Sequence, residues 1–131
     1  KGIVLQTGKV IALLSVGNML SVATEVSAQL EKAGTLPTLV SLHTIKPLDD
    51  KLLSQLFSNF EKLAVIEEHG LAGGAGSAIL EWANGKGLEA SKVVCFGAKD
   101  SFLTACGSQQ EARRYLGLDA ESIVSSLKEC L

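Results

Sequence analysis

Two acids and a histidine, Glu67, Glu68 and His69, stand where an apolar run ends and the stretch Gly70-Leu71-Ala72-Gly73-Gly74-Ala75-Gly76-Ser77 begins. Carboxyls beside an imidazole are the groups of general acid–base chemistry. Glycines leading into a helix permit close backbone approach. The first N–H groups of that helix, with its positive dipole end, favour an anion. Gly73, Gly74 and Gly76 are therefore the candidate cradle for a phosphate, and a tight turn with close helix–sheet packing is the plainer reading. Strand alternation puts Glu67 and Glu68 on opposite faces if the strand runs through both. They cannot then serve one site, which argues against a paired-carboxylate glycosidase. Glu68 or His69 could meet a ligand or another subunit. A helix N-terminus near His69 would favour its neutral form; the plainer reading is a solvent-exposed turn histidine.

His43 follows the apolar segment Thr38–Leu42 and precedes Lys46-Pro47. His43 and His69 could share one sheet edge, but two histidines alone do not make a metal site. A structural or interface role is the favoured reading of His43. Proline holds Lys46 extended. Lys46 could pair with Asp49 or Asp50, and a substrate role for it has no further support. Two familiar motifs fail. Gly74-Ala75-Gly76-Ser77-Ala78-Ile79 places isoleucine where a dinucleotide fingerprint needs its third glycine, and no P-loop lysine follows. A nucleophile elbow would need G-x-S-x-G, which Ser77 does not complete.

These side chains need a scaffold. Val10–Val16 is a continuous apolar run, as expected of a strand buried on both faces. Helical spacing over Met19–Lys32 puts Leu20, Ala23, Val26 and Leu30 on one face, with Gly34 as the stop. Thr38–Leu42 reads as a strand. Asp49 or Asp50 caps a helix to about Asn59 that buries Leu52, Leu53, Leu56 and Phe57. Lys62–Glu67 is the next strand, Gly74–Ala83 a helix ended by Asn84-Gly85, and Lys92–Gly97 a fourth core strand. A loop over 98–108, a short helix over 109–115 and a last helix capped by Asp119 complete the chain. That last helix buries Ile123, Val124 and Leu127. Strands alternating with helices predict a mostly parallel sheet covered on both faces, with function at the carboxyl ends of the strands.

With 131 residues, 47% of them apolar, the chain can fill one core. A net charge of −2 offers no basic footprint, so neither nucleic acid nor an anionic membrane is an expected partner. No uncharged apolar run reaches the roughly 18 residues of a membrane-spanning helix. Three cysteines, Cys95, Cys106 and Cys130, are odd in number and widely spaced. That argues against a disulfide framework or zinc site and suits a reducing, cytoplasmic setting. Cys95 reads as plain core. The start, Lys1-Gly2-Ile3, lacks an initiator methionine and a signal-peptide pattern. The expectation is one domain over 1–131, excised from a longer polypeptide.

Four segments carry a resemblance: Gly8–Gly17; Ile45-Lys46-Pro47-Leu48-Asp49; Val65–His69 with Gly73–Ala78; and Phe96–Phe102, followed by Gly107 and Leu116–Ala120. In this order and spacing the chain resembles the C-terminal domain of transketolase-like, thiamine-diphosphate enzymes. Lys99 replaces the proline usual in the last segment. The family includes transketolase, 1-deoxyxylulose-5-phosphate synthase and the β part of 2-oxo-acid dehydrogenase decarboxylases. The resemblance implies a three-layer α/β/α fold whose mostly parallel five-stranded sheet has the short first strand, Ile3–Leu5, antiparallel. It also implies a homodimeric parent, with thiamine diphosphate and a divalent metal (magnesium or calcium) held between two other domains.

The metal motif of such parents contains Gly-Asp-Gly, which does not occur here, and their thiazolium-activating glutamate belongs to another domain. No catalytic, cofactor-binding or metal-binding residue therefore carries over. The segments Ile45–Asp49 and Asp100–Asp119 look closest to transketolase and the deoxyxylulose enzyme, and transketolase is the preferred reading. Such a parent moves a two-carbon ketol unit between sugar phosphates of pentose phosphate metabolism. This domain would shape the subunit, contact the parent's other domains and border the site entrance, without catalysis of its own. The candidate ligand or interface residues are His43, Lys46, Glu68, His69, Gly73, Gly74 and Gly76. The alternative is a freestanding α/β module that binds a phosphate-bearing ligand at the Gly73–Ser77 turn.

Overall fold

The structure, a computed structural model, describes residues 2–42, 49–67, 75–96 and 120–130. Its strands are β1 (Gly2–Gln6), β2 (Ile11–Val16), β3 (Thr38–Leu42), β4 (Lys62–Ile66) and β5 (Val93–Phe96). Its helices are α1 (Leu20–Lys32), α2 (Asp50–Asn59), α3 (Ala75–Gly85) and α4 (Ala120–Cys130). The strand order is β1-β3-β2-β4-β5. β1 pairs antiparallel with β3, and every other pairing is parallel.

β2 lies at the centre, and Ile11, Ala12, Leu13 and Leu14 are all buried because helices cover both faces. Alternation splits them between two cores. Ile11 and Leu13 pack with Ala23, Val26 and Leu30 of α1 and with Ile123 and Leu127 of α4. Ala12 and Leu14 pack with Leu53, Leu56 and Phe57 of α2 and with Ala75, Ile79 and Ala83 of α3. This is the expected three-layer α/β/α arrangement with an antiparallel first strand. The apolar faces read for α1, α2 and α4 are buried as well, except that Leu20 and Leu52 are only partly covered. Outside the α2–α3 layer, the Trp82 indole N–H donates to Asp50 Oδ1 at 2.7 Å, with Lys86 Nζ 3.3 Å from the same oxygen.

Several boundaries differ from expectation. Val10 is not the first strand residue: its φ of 71° is in the left-handed region, an outlier for a β-branched side chain. It is the middle of a tight turn in which the Ile11 N–H donates to the Lys9 carbonyl at 2.8 Å. The N–H groups of Glu61 and Lys62 hold the turn by donating to the Val10 carbonyl at 2.8 and 3.3 Å. Met19 belongs to a short 3-10 turn, Gly17–Met19, ahead of α1. Lys92 likewise precedes β5 in a 3-10 turn, and its Nζ donates to the Phe57 and Phe60 carbonyls at the end of α2. Asp49 caps α2, accepting from the Leu52 N–H at 3.2 Å. The loop over 98–108, the helix over 109–115 and the Asp119 cap lie outside the described residues.

α3 also takes in Asn84 and Gly85, two residues beyond its expected last residue, Ala83. The chain leaves the helix at Gly87, whose φ is 72°. There the Leu88 N–H donates to the Ala83 carbonyl at 2.9 Å and the Gly87 N–H to that of Asn84 at 3.2 Å. This pair of bonds closes a helix through a left-handed residue. The same pair ends α1 at Gly34, from Thr35 to Leu30 and from Gly34 to Glu31. Gly87→Ala is expected to destabilise the chain by about 1 kcal/mol because the left-handed residue gains a Cβ. Gly85→Ala, in open helical space, is expected to be neutral or stabilising by up to about 1 kcal/mol. Urea unfolding midpoints of the two variants check the contrast.

Candidate functional site

The carboxyl end of β4 meets the start of α3 at Glu67. By period two, Glu67 follows Leu63 and Val65 onto the face that α2 and α3 cover. Its side chain is 1% exposed. A helix begins with N–H groups that have no partner within the helix, and a buried carboxylate needs donors. Glu67 meets both needs: Oε1 accepts from the Ala75 N–H at 2.9 Å and Oε2 from the Gly76 N–H at 2.7 Å. The positive end of the α3 dipole adds to the attraction. The Glu67 backbone N–H donates to the Phe96 carbonyl at 2.9 Å, so this residue also ties β4 to β5.

Cys95 of β5 completes the cluster. A Cβ placed on Gly76 would lie 2.6 Å from Cys95 Sγ and 3.2 Å from Glu67 Oε2. Only glycine lets α3 sit this close to β5. Cys95 is half-buried rather than plain core. Burial, and secondarily the neighbouring Glu67 charge, push its thiol pKa up. It is a neutral packing group at pH 7 and a poor nucleophile.

Of the seven candidate residues read from the sequence, Gly76 alone is described. His43, Lys46, Glu68, His69, Gly73 and Gly74 lie outside the described residues. The described part of the expected phosphate cradle already holds an anion, the protein's own Glu67. The partners considered for Lys46 are otherwise engaged in part: Asp50 with Trp82 and Lys86, and Asp49 with the Leu52 N–H. Glu67 and Cys95, read from the sequence as half of an acid pair and as plain core, are not among the seven candidates. The available signal was the alternation Leu63, Val65, Glu67, which carries an acid onto a helix-covered face.

Thiamine diphosphate with its metal requires a converging set of oxygen donors. Among the described residues no three of His, Cys, Asp or Glu come together to hold a metal ion. The described residues do not fit such a site.

A mostly parallel five-stranded sheet between two helical layers, with an antiparallel edge strand, defines a three-layer α/β/α domain. The profile of the family described as "Transketolase, C-terminal domain" matches residues 1–123, and the chain belongs to that family. The 1-deoxy-D-xylulose-5-phosphate synthase of Syntrophus aciditrophicus is 34% identical over 131 residues, 100% of this chain and 20% of its own length. The synthase of the same name from Shouchella clausii is 40% identical over 124 residues, 95% of this chain and 19% of its own. The chain therefore spans about one fifth of the length of these curated relatives. Among solved structures, a split gene transketolase described as an inactive beta4 tetramer matches with a TM-score of 0.86 at 29% identity. That match covers 98% of this chain and 41% of the other. The transketolase of Campylobacter jejuni matches with a TM-score of 0.67 over 98% of this chain and 18% of its own. At 15% identity that match is a likeness of fold.

Glu67→Ala would strip two buried N–H groups of their acceptor and is expected to cost about 2–4 kcal/mol in urea unfolding. Gly76→Ala is expected to cost about 1–3 kcal/mol by overpacking against Cys95. Adding Cys95→Ala removes Sγ and should recover part of that loss. A double-mutant cycle with no coupling would refute the close approach.

Proposed function

We propose that this chain is the C-terminal domain of a larger thiamine-diphosphate enzyme of the transketolase type, where it shapes the subunit and contacts the other domains. The observation that carries this reading is the commitment of Glu67. It is the one charged side chain buried among the described residues, and both its oxygens bind the start of α3. It holds structure, with a backbone N–H of α3 on each oxygen. Family membership and the one-fifth span of the relatives support a longer parent. The cofactor and its metal belong to the parent's other domains, and the parent is a cytoplasmic homodimer that transfers a two-carbon ketol unit between sugar phosphates.

The segments directly following β3 and β4 in the sequence contain His43, Lys46, Glu68, His69, Gly73 and Gly74. These, with Gly76, are the proposed contacts to a ligand or a neighbouring domain. The names of the curated relatives favour a second reading of the parent, as a 1-deoxy-D-xylulose-5-phosphate synthase. A freestanding phosphate-binding module has less support, because Glu67 already takes the Ala75 and Gly76 N–H groups.

An antibody against the chain should reveal, in lysate of the source cells, a band several times larger than 13.7 kDa. The purified large protein, given thiamine diphosphate and magnesium, should turn over sugar phosphates, and the 131-residue chain alone should not. A band only at the size of the chain, or turnover by the chain itself, would overturn the proposal. With a three-carbon 2-oxo acid also supplied, to give up carbon dioxide and donate CH3–CO–, formation of 1-deoxy-D-xylulose 5-phosphate in place of ketol transfer would select the second reading.

A further inference from the structure

Six large apolar side chains are exposed among the described residues: Ile3, Val4, Leu5, Val10, Leu36 and Leu88. Five of the six gather at one edge, Ile3, Val4 and Leu5 on β1, and Val10 and Leu36 beside the turn that follows it. The Lys9 N–H donates to the Leu36 carbonyl at 2.9 Å, which brings the last two together.

β1 is an edge strand whose only partner among the described residues is β3. Val4 stands opposite Val40 and shares its face, the one covered elsewhere by α2 and α3. Ile3 stands opposite Ser41, on the face of α1 and α4. Their exposures, 50% for Ile3, 48% for Val4 and 51% for Leu5, show that the helical layers leave the middle of β1 uncovered; only its ends are reached, Gly2 by Leu52 of α2 and Gln6 by Ser27 of α1. Beyond the end of β1 lies a hollow of about 500 Å³, lined by Thr7, Gly8, Lys9, Val10, Gly34, Thr35 and Leu36. An apolar strip of this kind with an adjoining socket marks an interaction surface.

We infer that the strip and the hollow are covered by the polypeptide preceding β1 in the parent enzyme, an apolar surface that packs on both faces of β1 and fills the hollow. The inference rests on the reading of the chain as the C-terminal domain of a longer enzyme. Three observations select this occupant. In that reading the preceding polypeptide joins the domain at β1 itself, so it reaches the strip without a long span. The chain is about one fifth of its curated relatives, so a large remainder has to be accommodated beside it. A second copy adding its own strand is disfavoured, because the register shifts between Val4 and Gln6. Such a bulge bends the free edge away from regular pairing.

Hydroxyl-radical footprinting of the purified parent enzyme, read by mass spectrometry, tests this. Leu88 serves as the exposed reference and Leu13 as the buried one. Ile3, Val4, Leu5 and Leu36 are expected to label about five-fold more slowly than Leu88, as residues at the core of an interface do. Labelling like that of Leu88 in a parent of the expected size would overturn this inference and leave the functional reading standing. If the source protein is only the short chain, the functional reading fails first. The strip then labels at every concentration if nothing covers it, or becomes protected only at high concentration if a second copy does. Either result overturns the inference.

Discussion

The carboxylate of Glu67 is the tie on which the arrangement of β4, α3 and β5 depends. Burying a carboxylate is unfavourable unless donors replace its lost water, and a helix start offers donors that lack partners. Each group solves the other's problem. The Ala75 and Gly76 N–H groups satisfy the acid, and the acid caps the helix across the intervening segment. The same residue's backbone bonds to Phe96, so α3, β4 and the outer strand β5 meet at one position. Gly76 is the steric condition of that meeting, since a larger residue would displace Cys95.

A domain tied in this way is suited to holding shape. The residues that looked most like acid–base machinery divide into a buried acid in a structural role and a set lying outside the described residues. The apolar excess of the chain has two destinations. Most of it fills the two cores on either side of β2, and the remainder lies along β1 and the hollow beyond it.

Much of the fold was legible in the sequence because its signals are local and periodic. The run Ile11–Leu14 needed no polar face, and Leu53, Leu56 and Phe57 lie a helical turn apart, so burial on two faces and on one face could be read directly. Gly34 marked the end of α1 because glycine tolerates the left-handed closing residue. The reading failed where geometry overrode residue type. Val10 looks like a strand residue, yet bonds from Glu61 and Lys62 hold it in a turn. Asn84-Gly85 looks like the closing turn, yet these two are the last residues of α3 and Gly87 is the left-handed residue that closes it.

The sequence by itself determined the fold class, from the order of periodic segments, and the family, from motifs spread over the whole chain; the antiparallel first strand came only as what the resemblance to that family implies. Only the tertiary structure decided that Glu67 binds the start of α3, that Gly76 bears on Cys95, and that the middle of β1, Ile3–Leu5, is left exposed. Each of those facts joins residues from different elements. A hydrogen bond or a steric contact depends on distances of a few ångströms between them, which no local pattern encodes.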